Sequence, residues 1–273
     1  MTPVPQPRSF RPLLVGAYTL GAFFFTLFAL GVLAEAKPGS EEDLVTLVMS
    51  QALGYAVMAF VALRLHGADA PLRDFVALTA PRPVHVAVGL VSGAGLYPLL
   101  SKLDDLVAHR MPASQEEREA MGRILATDTV AQKVVLAVCL LVVLPMAVEL
   151  FYRGVLFSVA EPSGTQRAFM AVVSASVASS LLYSSSLRAL PSIFGFAVLA
   201  ASLRALSRSV VPSVLAHLAF FGVPLVPALL LRDYEERYSW PMAAVGAVVA
   251  VAVWFVGFAL RRSAPAPEPL ETI

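Results

Sequence analysis

Two charged side chains inside an apolar stretch are the first candidates for chemistry in this sequence. Glu149 and Arg153 belong to the run PMAVELFYRG at residues 145–154. A charged side chain costs about 2.5–3.5 kcal/mol in a bilayer on insertion scales, so such residues are usually kept for a reason. A spacing of four places both on one helix face, where they can pair. The pattern predicts a buried ion pair, or else a carboxylate that acts as a base.

His217 is the next candidate, because an imidazole can be a general base, a metal ligand or a hydrogen-bond partner between helices. A metal site needs about three protein ligands. The other histidines, His66, His85 and His109, have no helical spacing to His217, and the core spans hold no second carboxylate beside Glu149. We therefore predict no metal and no cofactor.

Serines cluster between residues 174 and 186. A serine nucleophile would require a histidine and an orienting acid. In membrane helices, serine more commonly bonds to a neighbouring helix or to its own backbone. We interpret the cluster as helix packing. Its members are Ser174, Ser176, Ser179, Ser180, Ser184, Ser185 and Ser186.

The composition predicts that these residues lie in a membrane. Of the 273 residues, 58% are hydrophobic and 14% are charged, and the mean hydropathy is +0.76. A soluble domain has about 25% charged residues. The net charge of +1 gives no electrostatic reason to expect nucleic acid as a partner. The lipid bilayer is the expected surrounding.

Apolar runs predict an all-α polytopic membrane helix bundle of about eight transmembrane helices. Each span should be helical, because a bilayer offers no water to satisfy backbone groups. The predicted spans are Leu13–Ala34, Leu44–Leu63, Val84–Leu100, Lys133–Phe157, Ala168–Ser185, Ser192–Leu206, Val210–Leu231 and Met242–Leu260.

Charge placement predicts the orientation of this bundle. Arginines recur in alternate connections, whereas the loops Glu35–Asp43 and Asp233–Glu236 are acidic. By the positive-inside rule, both termini should be cytoplasmic. The preference for arginine over lysine, with abundant alanine, suggests a bacterial inner membrane.

The chain divides into four predicted segments. Residues 1–12 form a cytoplasmic tail, and residues 13–132 hold the N-terminal transmembrane helices with an amphipathic connection. In that connection Ser114 and Glu117 have the spacing of a capping box. Residues 133–262 form the core helices, and the Pro/Ala-rich residues 263–273 form a disordered tail.

Three stretches between Lys133 and Phe221 resemble the motifs of the CPBP family of intramembrane proteases, the CAAX-protease and bacteriocin-processing group. The first family motif, Glu-Glu-x-x-x-Arg, corresponds here to Val148, Glu149 and Arg153, with Gly154 following. The resemblance implies the family's bundle fold.

The other two motifs keep the flanking residues of the family and lose several polar positions. In Phe-x-x-x-His, the aromatic is Tyr183 and the histidine position is Leu187. In His-x-x-x-Asn, His217 matches and the asparagine position is Phe221, while Pro212 fits the preceding context.

The resemblance implies which positions would be catalytic. In the family the first glutamate activates a water with help from two histidines, and the asparagine helps to stabilise the oxyanion. This chain keeps only His217 of these four. Val148, Leu187 and Phe221 can neither move a proton nor donate a hydrogen bond.

Glu149 stands next to the missing carboxylate. One residue rotates a helical side chain by about 100°, so we expect Glu149 to point away from the family's water position and to pair with Arg153. Removing one partner of such a buried pair should cost about 3–5 kcal/mol.

The leading hypothesis is a catalytically inactive homologue, a membrane scaffold or helper that binds a membrane-anchored protein or peptide. Its cavity would be lined by His217, Glu149, Leu187 and Phe221. One alternative is an active CAAX-type intramembrane endopeptidase with a rebuilt site of Glu149 and His217. Another is a small transporter, against which stands the lack of two matching halves. Glu149 and His217 more than about 8 Å apart, with no polar path between them, would exclude the protease alternative.

Overall fold

The described part of the computed structural model comprises residues 11–67, 71–125, 129–160, 165–183, 187–230 and 238–262. It is helical and contains no strand within these ranges. Seven described helices are long and apolar enough to cross a membrane, which confirms the all-α polytopic bundle. The helices are α1 (Arg11–Ala36), α2 (Leu44–His66), α3 (Leu72–Phe75), α4 (Pro83–Arg110), α5 (Gln115–Leu125), α6 (Val130–Ala160), α7 (Thr165–Tyr183), α8 (Leu190–Ser207), α9 (Val211–Leu230) and α10 (Trp240–Arg262).

The predicted span Ala168–Ser185 differs most from the structure. It corresponds to α7, whose apolar part is only Phe169–Leu181. Thirteen residues at 1.5 Å each extend about 20 Å, against a hydrocarbon core of about 30 Å. The serines of this helix lower its hydropathy, so that seven helices rather than eight meet the length and composition of a full span.

The connection predicted to begin at Ser101 begins later, because α4 continues to Arg110. An ion pair of 2.6 Å between Lys102 and Asp105 lies along this extension. The cap predicted at Ser114 is confirmed: its hydroxyl accepts from the Glu117 amide at 3.1 Å, and the Glu117 carboxylate accepts from the Ser114 amide at 2.8 Å. The helix that follows is α5.

Several predictions fall outside the described residues. They concern most of the N-terminal tail, the tail 263–273, the serines 184–186 and the acidic loop 233–236.

Helix α6 forms the centre of the bundle and departs from regular α geometry twice. Cys139–Val143 and Leu150–Leu156 are π-helical, and Leu144–Glu149 between them is α-helical. Pro145 has no N–H for the preceding turn, which explains a widened ladder upstream of it. Such π turns occur frequently at functional sites.

The second π turn is packed on every side. Phe151, Tyr152 and Leu156 are at most 1% exposed, and the Tyr55 ring of α2 stacks on Phe151 at 5.0 Å. A Cβ at Gly154 would lie 3.1 Å from the Val76 carbonyl oxygen, so glycine allows this close approach. The turn is therefore held rigidly against its neighbours.

Helices α4 and α9 cross at a close approach that sets the position of His217. A Cβ added to Gly93 would overlap the carbonyl oxygen of Ala216. Ala216 is fully buried and directly precedes His217. The small residue on α4 thereby fixes how far α9 lies from the centre of the bundle.

Candidate functional site

Glu149 and His217 lie together in the interior of the bundle. The Nδ1 atom of His217 on α9 is 2.8 Å from the Oε1 atom of Glu149 on α6. The exposed fractions of these side chains are 2% and 0%. Because an ionised carboxylate can only accept, the imidazole is the donor in this contact. The distance of 2.8 Å is that of a charge-assisted hydrogen bond.

Arg153 provides a cationic neighbour for Glu149. Its Nε atom lies 3.4 Å from Oε2 of Glu149, and both side chains are buried. A charge-assisted hydrogen bond is about 2.7–2.9 Å long, so this contact is an ion pair without ideal hydrogen-bond geometry. The Nη2 atom of Arg153 donates to the Ala197 carbonyl at 3.0 Å. The expected ion pair within α6 is thus present, and Arg153 also ties α6 to α8.

Arg204 makes a second hydrogen bond between these two helices, with the donor on α8 and the acceptor on α6. Its Nε atom donates to the backbone carbonyl of Arg153 at 3.1 Å. That carbonyl belongs to the second π turn, where the regular α-helical ladder is interrupted. The Arg204 guanidinium also lies 5.0 Å from the centroid of the Phe157 ring, within cation–π range. Two buried arginines therefore clamp α6 and α8 together beside Glu149.

A cavity of about 640 Å³ borders this cluster. Helices α4, α6, α8 and α9 form most of its wall, and Gln51 of α2 and Ser179 of α7 contribute to it. Glu149, Arg153 and His217 all lie on the wall. The remaining wall is mainly apolar and includes three phenylalanines.

Two of the altered motif positions line the cavity. Val148 is 2% exposed and lies beside Glu149. Phe221 is on the wall, and its ring stacks on the imidazole of His217 with centroids 5.0 Å apart. Phe196 contacts the same imidazole edge-on at 4.8 Å. Apolar groups thus surround the retained histidine.

The third altered motif position does not line the cavity. Leu187 is 73% exposed, precedes α8 and is not part of the cavity wall. The expected cavity lining is therefore wrong at this residue. The motif resemblance placed Leu187 at a histidine position of the site, but α7 is described to Tyr183 and residues 187–189 form a turn. The side chain of Leu187 is consequently outside the bundle interior.

Glu149 was expected to point away from the water position of the family, and the structure places it on the same cavity as Val148. Glu149 and Val148 both border the cavity, and the Glu149 carboxylate reaches across to α9. In a regular α-helix, successive side chains are rotated by about 100°, so a narrow site meets only one of two adjacent residues. Here π turns flank the residue on both sides, and the cavity is wide enough to meet two successive positions.

The described serines mostly bond to backbone carbonyls of their own helix. The hydroxyls of Ser179 and Ser180 donate to the Ser176 carbonyl at 3.1 and 2.7 Å, and that of Ser174 donates to Met170. This agrees with a packing role. Among the described residues no group of three or more His, Cys, Asp or Glu side chains could hold a metal ion.

Two side chains at the site were not singled out in the sequence. Arg204 was not named among the candidate residues, whereas it is 6% exposed and donates to the backbone carbonyl of Arg153. Its place inside a predicted span was the signal, since an intramembrane arginine is costly. Asp104, at the cavity mouth, stood in a connection and gave no such signal.

One comparison with known proteins gives a match over the core helices. Residues 130–222 match the family model described as type II CAAX prenyl endopeptidase Rce1-like, and this confirms the resemblance to CPBP intramembrane proteases over that part of the chain. The matched region includes α6, α7, α8 and the first half of α9, which together carry all three motifs. No curated protein and no solved structure matches the chain. The protein is an integral membrane homologue of the intramembrane protease type.

Proposed function

We propose that the protein is a non-catalytic homologue of these proteases that binds a segment of a membrane-anchored protein or peptide in its central cavity. The observation that carries this proposal is that the cavity persists while Val148 and Phe221 occupy its wall. A binding site requires shape and apolar surface, whereas hydrolysis requires a base and an oxyanion donor in place. The chain retains the first set of properties and has lost most of the second.

The surroundings of Glu149 support a structural role for this residue. Its carboxylate is held by His217 on one oxygen and by Arg153 near the other. A general base must reach a water, and both oxygens of this carboxylate already face another side chain. Placed between His217 and Arg153, Glu149 is better suited to connect α6 and α9 than to remove a proton from water.

A rebuilt intramembrane endopeptidase is the second candidate, and the 2.8 Å contact favours it. A carboxylate that accepts from Nδ1 orients an imidazole in the way the acid of a catalytic triad does. His217 would then take a proton from a water that attacks a peptide carbonyl, and return it to the leaving amine. Both residues face one cavity, as this candidate requires.

A single experiment separates the two candidates. The full chain, reconstituted in lipid nanodiscs, is incubated with membrane-anchored reporter peptides that carry a photocrosslinker. Crosslinking measures binding, and mass spectrometry of the peptides measures cleavage. The variants are Glu149→Gln and His217→Ala, and the control is His109→Ala, which changes an exposed histidine outside the cavity.

Crosslinking without cleavage by the parent protein supports the non-catalytic proposal. Cleavage that Glu149→Gln and His217→Ala abolish, with crosslinking retained and His109→Ala unaffected, overturns it and supports the endopeptidase. Absence of crosslinking to every anchored peptide, in a protein that melts cooperatively, also overturns it.

The proposal includes an orientation in a bacterial inner membrane with both termini cytoplasmic. The positive-inside pattern of arginines supports this placement. Single cysteines introduced at Lys37, which directly follows α1, and at Leu65, near the end of α2, provide a test in a background without Cys139, because both side chains are exposed. A membrane-impermeant thiol reagent added to intact cells should label the first position and spare the second. The reverse pattern would invert the topology.

A further inference from the structure

Four arginines form a patch at the end of the bundle where α2 ends and α4 begins. Arg64 lies in the last turn of α2, Arg73 lies in α3, Arg82 directly precedes α4, and Arg208 directly follows α8. All four side chains are exposed. Asp74 is the acidic side chain that the structure describes at this end. This arginine patch therefore makes the described surface of the end cationic.

Backbone hydrogen bonds bring the arginines together from separate parts of the chain. The Thr79 hydroxyl, between α3 and α4, donates to the Arg208 carbonyl at 3.3 Å. The Ser209 hydroxyl donates to the Thr79 carbonyl at 2.7 Å. The Nε atom of Arg73 donates to the Leu78 carbonyl at 3.1 Å, next to the same contact. The connection from α3 to α4 is thereby fixed to the turn between α8 and α9.

The end of α2 packs on the same connection. A Cβ added to Gly67 would overlap the ring of Phe75, so the chain directly after α2 lies against α3. Arg64 is one turn of helix before Gly67. The patch thus draws on α2, α3, α4 and the end of α8.

The two ends of the bundle treat their charges differently. At the opposite end, Arg123 pairs with Glu42 and Arg188 pairs with Glu117, each at 2.9 Å. None of the four patch arginines forms an ion pair with a residue in the described ranges. A cluster of exposed cations with one nearby carboxylate attracts an external anion.

Exposed apolar side chains accompany these arginines. Leu72 is 58% exposed and Leu78 is 42% exposed, and both belong to the segment that carries Arg73. A soluble anion makes no use of apolar surface. An anionic lipid offers both a charged headgroup and acyl chains, and surfaces that combine basic and apolar side chains bind at the membrane interface.

We propose that the arginine patch binds the phosphodiester headgroup of an anionic phospholipid, with its acyl chains along Leu72 and Leu78. A guanidinium donates two parallel hydrogen bonds to a phosphate, which suits arginine better than lysine. Basic pockets between transmembrane helices at one membrane face bind such headgroups. This inference goes beyond the proposed function, because none of the four arginines lies on the cavity wall.

A bound lipid would also stabilise the core helix. Val76 lies in the segment between α3 and α4, and its carbonyl oxygen is 3.1 Å from the position of a Cβ at Gly154. Gly154 belongs to the second π turn of α6. A headgroup that holds this segment in place should therefore raise the melting temperature of the whole bundle.

Two phospholipids with the same short acyl chains test the selectivity. The full chain in a neutral detergent is mixed with equimolar phosphatidylglycerol and phosphatidylcholine, and native mass spectrometry counts each bound lipid. Phosphatidylcholine carries the same phosphate, but its choline offsets the charge. Phosphatidylglycerol should be retained at least about tenfold more, since each basic residue near an anionic surface contributes a factor of about five. Equal retention would overturn the proposal.

Two triple variants with the same loss of charge test the location. The control variant neutralises exposed cations at the opposite end of the bundle. The patch variant should lower the preference for phosphatidylglycerol at least about tenfold, and the control should keep it. Equal losses would mean a response to total charge and would overturn the assignment. The patch variant is Arg73→Gln, Arg82→Gln and Arg208→Gln, and the control is Lys37→Gln, Arg110→Gln and Arg118→Gln.

A single change keeps the test decisive if the patch variant fails to fold. Arg82→Gln alone should lower the preference about fivefold, by the contribution of one basic residue. Arg110→Gln is its control, because Arg82 directly precedes α4 and Arg110 is the last residue of the same helix. An unchanged preference in Arg82→Gln would count against the patch.

Inorganic phosphate distinguishes a lipid from a soluble anion. Phosphatidylglycerol should raise the melting temperature, whereas inorganic phosphate at the same concentration should leave it unchanged, because it has no acyl chains to place along Leu72 and Leu78. Equal stabilisation by the two would overturn the lipid assignment. Peptide binding in the cavity is not measured here, so a negative result leaves the proposed function standing.

Discussion

The imidazole of His217 and the carboxylate of Glu149 are 2.8 Å apart, although 68 positions separate them in the chain. One side chain comes from the centre of α6 and the other from α9. The contact joins the first and third motifs, and it holds them together whether or not the site hydrolyses peptides. Replacing either residue should therefore lower the stability of the fold, because the other would remain buried without its partner.

Glu149→Gln should lower the free energy of unfolding by about 3–5 kcal/mol, because it leaves the Arg153 guanidinium buried without its counter-charge. The midpoint of unfolding in detergent, followed by circular dichroism, measures the change. Glu35→Gln is the control, since Glu35 is exposed at the end of α1 and its neutralisation should stay within about 0.5 kcal/mol. Equal effects of the two changes would mean that the internal ion pair contributes nothing to stability.

Arg204→Met should destabilise the bundle by about 1–3 kcal/mol, because the buried Arg153 carbonyl loses its donor. Methionine keeps much of the length of the side chain and removes the charge. The matched control is Arg208→Met, which alters an exposed arginine four residues later. Chemical denaturation of both variants gives the comparison, and a loss confined to Arg208→Met would contradict the proposed clamp.

Gly93→Ala should separate α4 from α9 and cost about 1–3 kcal/mol, since overpacking forces the helices apart. The added methyl would overlap the Ala216 carbonyl, next to His217. Gly16→Ala is the control, because no atom lies within 4 Å of a Cβ at that helical position. The control should be neutral or slightly stabilising, as alanine favours helix. Melting temperatures of the two variants decide between these outcomes.

Acidification should release α5 from the turn between α1 and α2. Arg123 of α5 bonds Glu42 through two nitrogens at 2.9 Å, and this hydrogen bond, with the charge of Arg123, holds the pKa of Glu42 below its usual value. Because the folded pKa is lower than the unfolded one, the pairing stabilises above the unfolded pKa, and this stabilisation is lost as the pH falls through the folded pKa. Both side chains are exposed, so the effect is small and weakens with salt.

Spin labels at Lys37 and Gly122, in a background without Cys139, measure this release as a distance. The distribution should be narrow at neutral pH and broaden as the pH falls through the folded pKa of Glu42, which lies below the ordinary Glu value. With Arg123→Gln the broad distribution should be present at neutral pH. A distribution that is independent of both pH and Arg123 would show that other contacts hold α5.

The class of fold was accessible from the sequence because it depends on composition and on the length of apolar runs. The chain is 58% hydrophobic and has apolar runs of about 20 residues, which is the length that spans a bilayer. Such runs form helices, because a helix satisfies its backbone hydrogen bonds without water. Local chemistry was equally accessible: the spacing of Ser114 and Glu117 predicts their cap, and that of Glu149 and Arg153 predicts their pairing. These interactions lie within one or two helical turns.

Only the tertiary structure decided which distant side chains meet. The contact of Glu149 with His217 depends on the π turns of α6 and on the close approach of α4 to α9 at Gly93. Leu187 lies outside the cavity because it belongs to the turn before α8. Arg204 is buried because the Arg153 carbonyl in the π turn of α6 accepts a hydrogen bond from it. Helical periodicity predicts which residues share a face of one regular helix. It contains no information on a widened turn or on the packing of helices, and these two features determine the cavity and its lining.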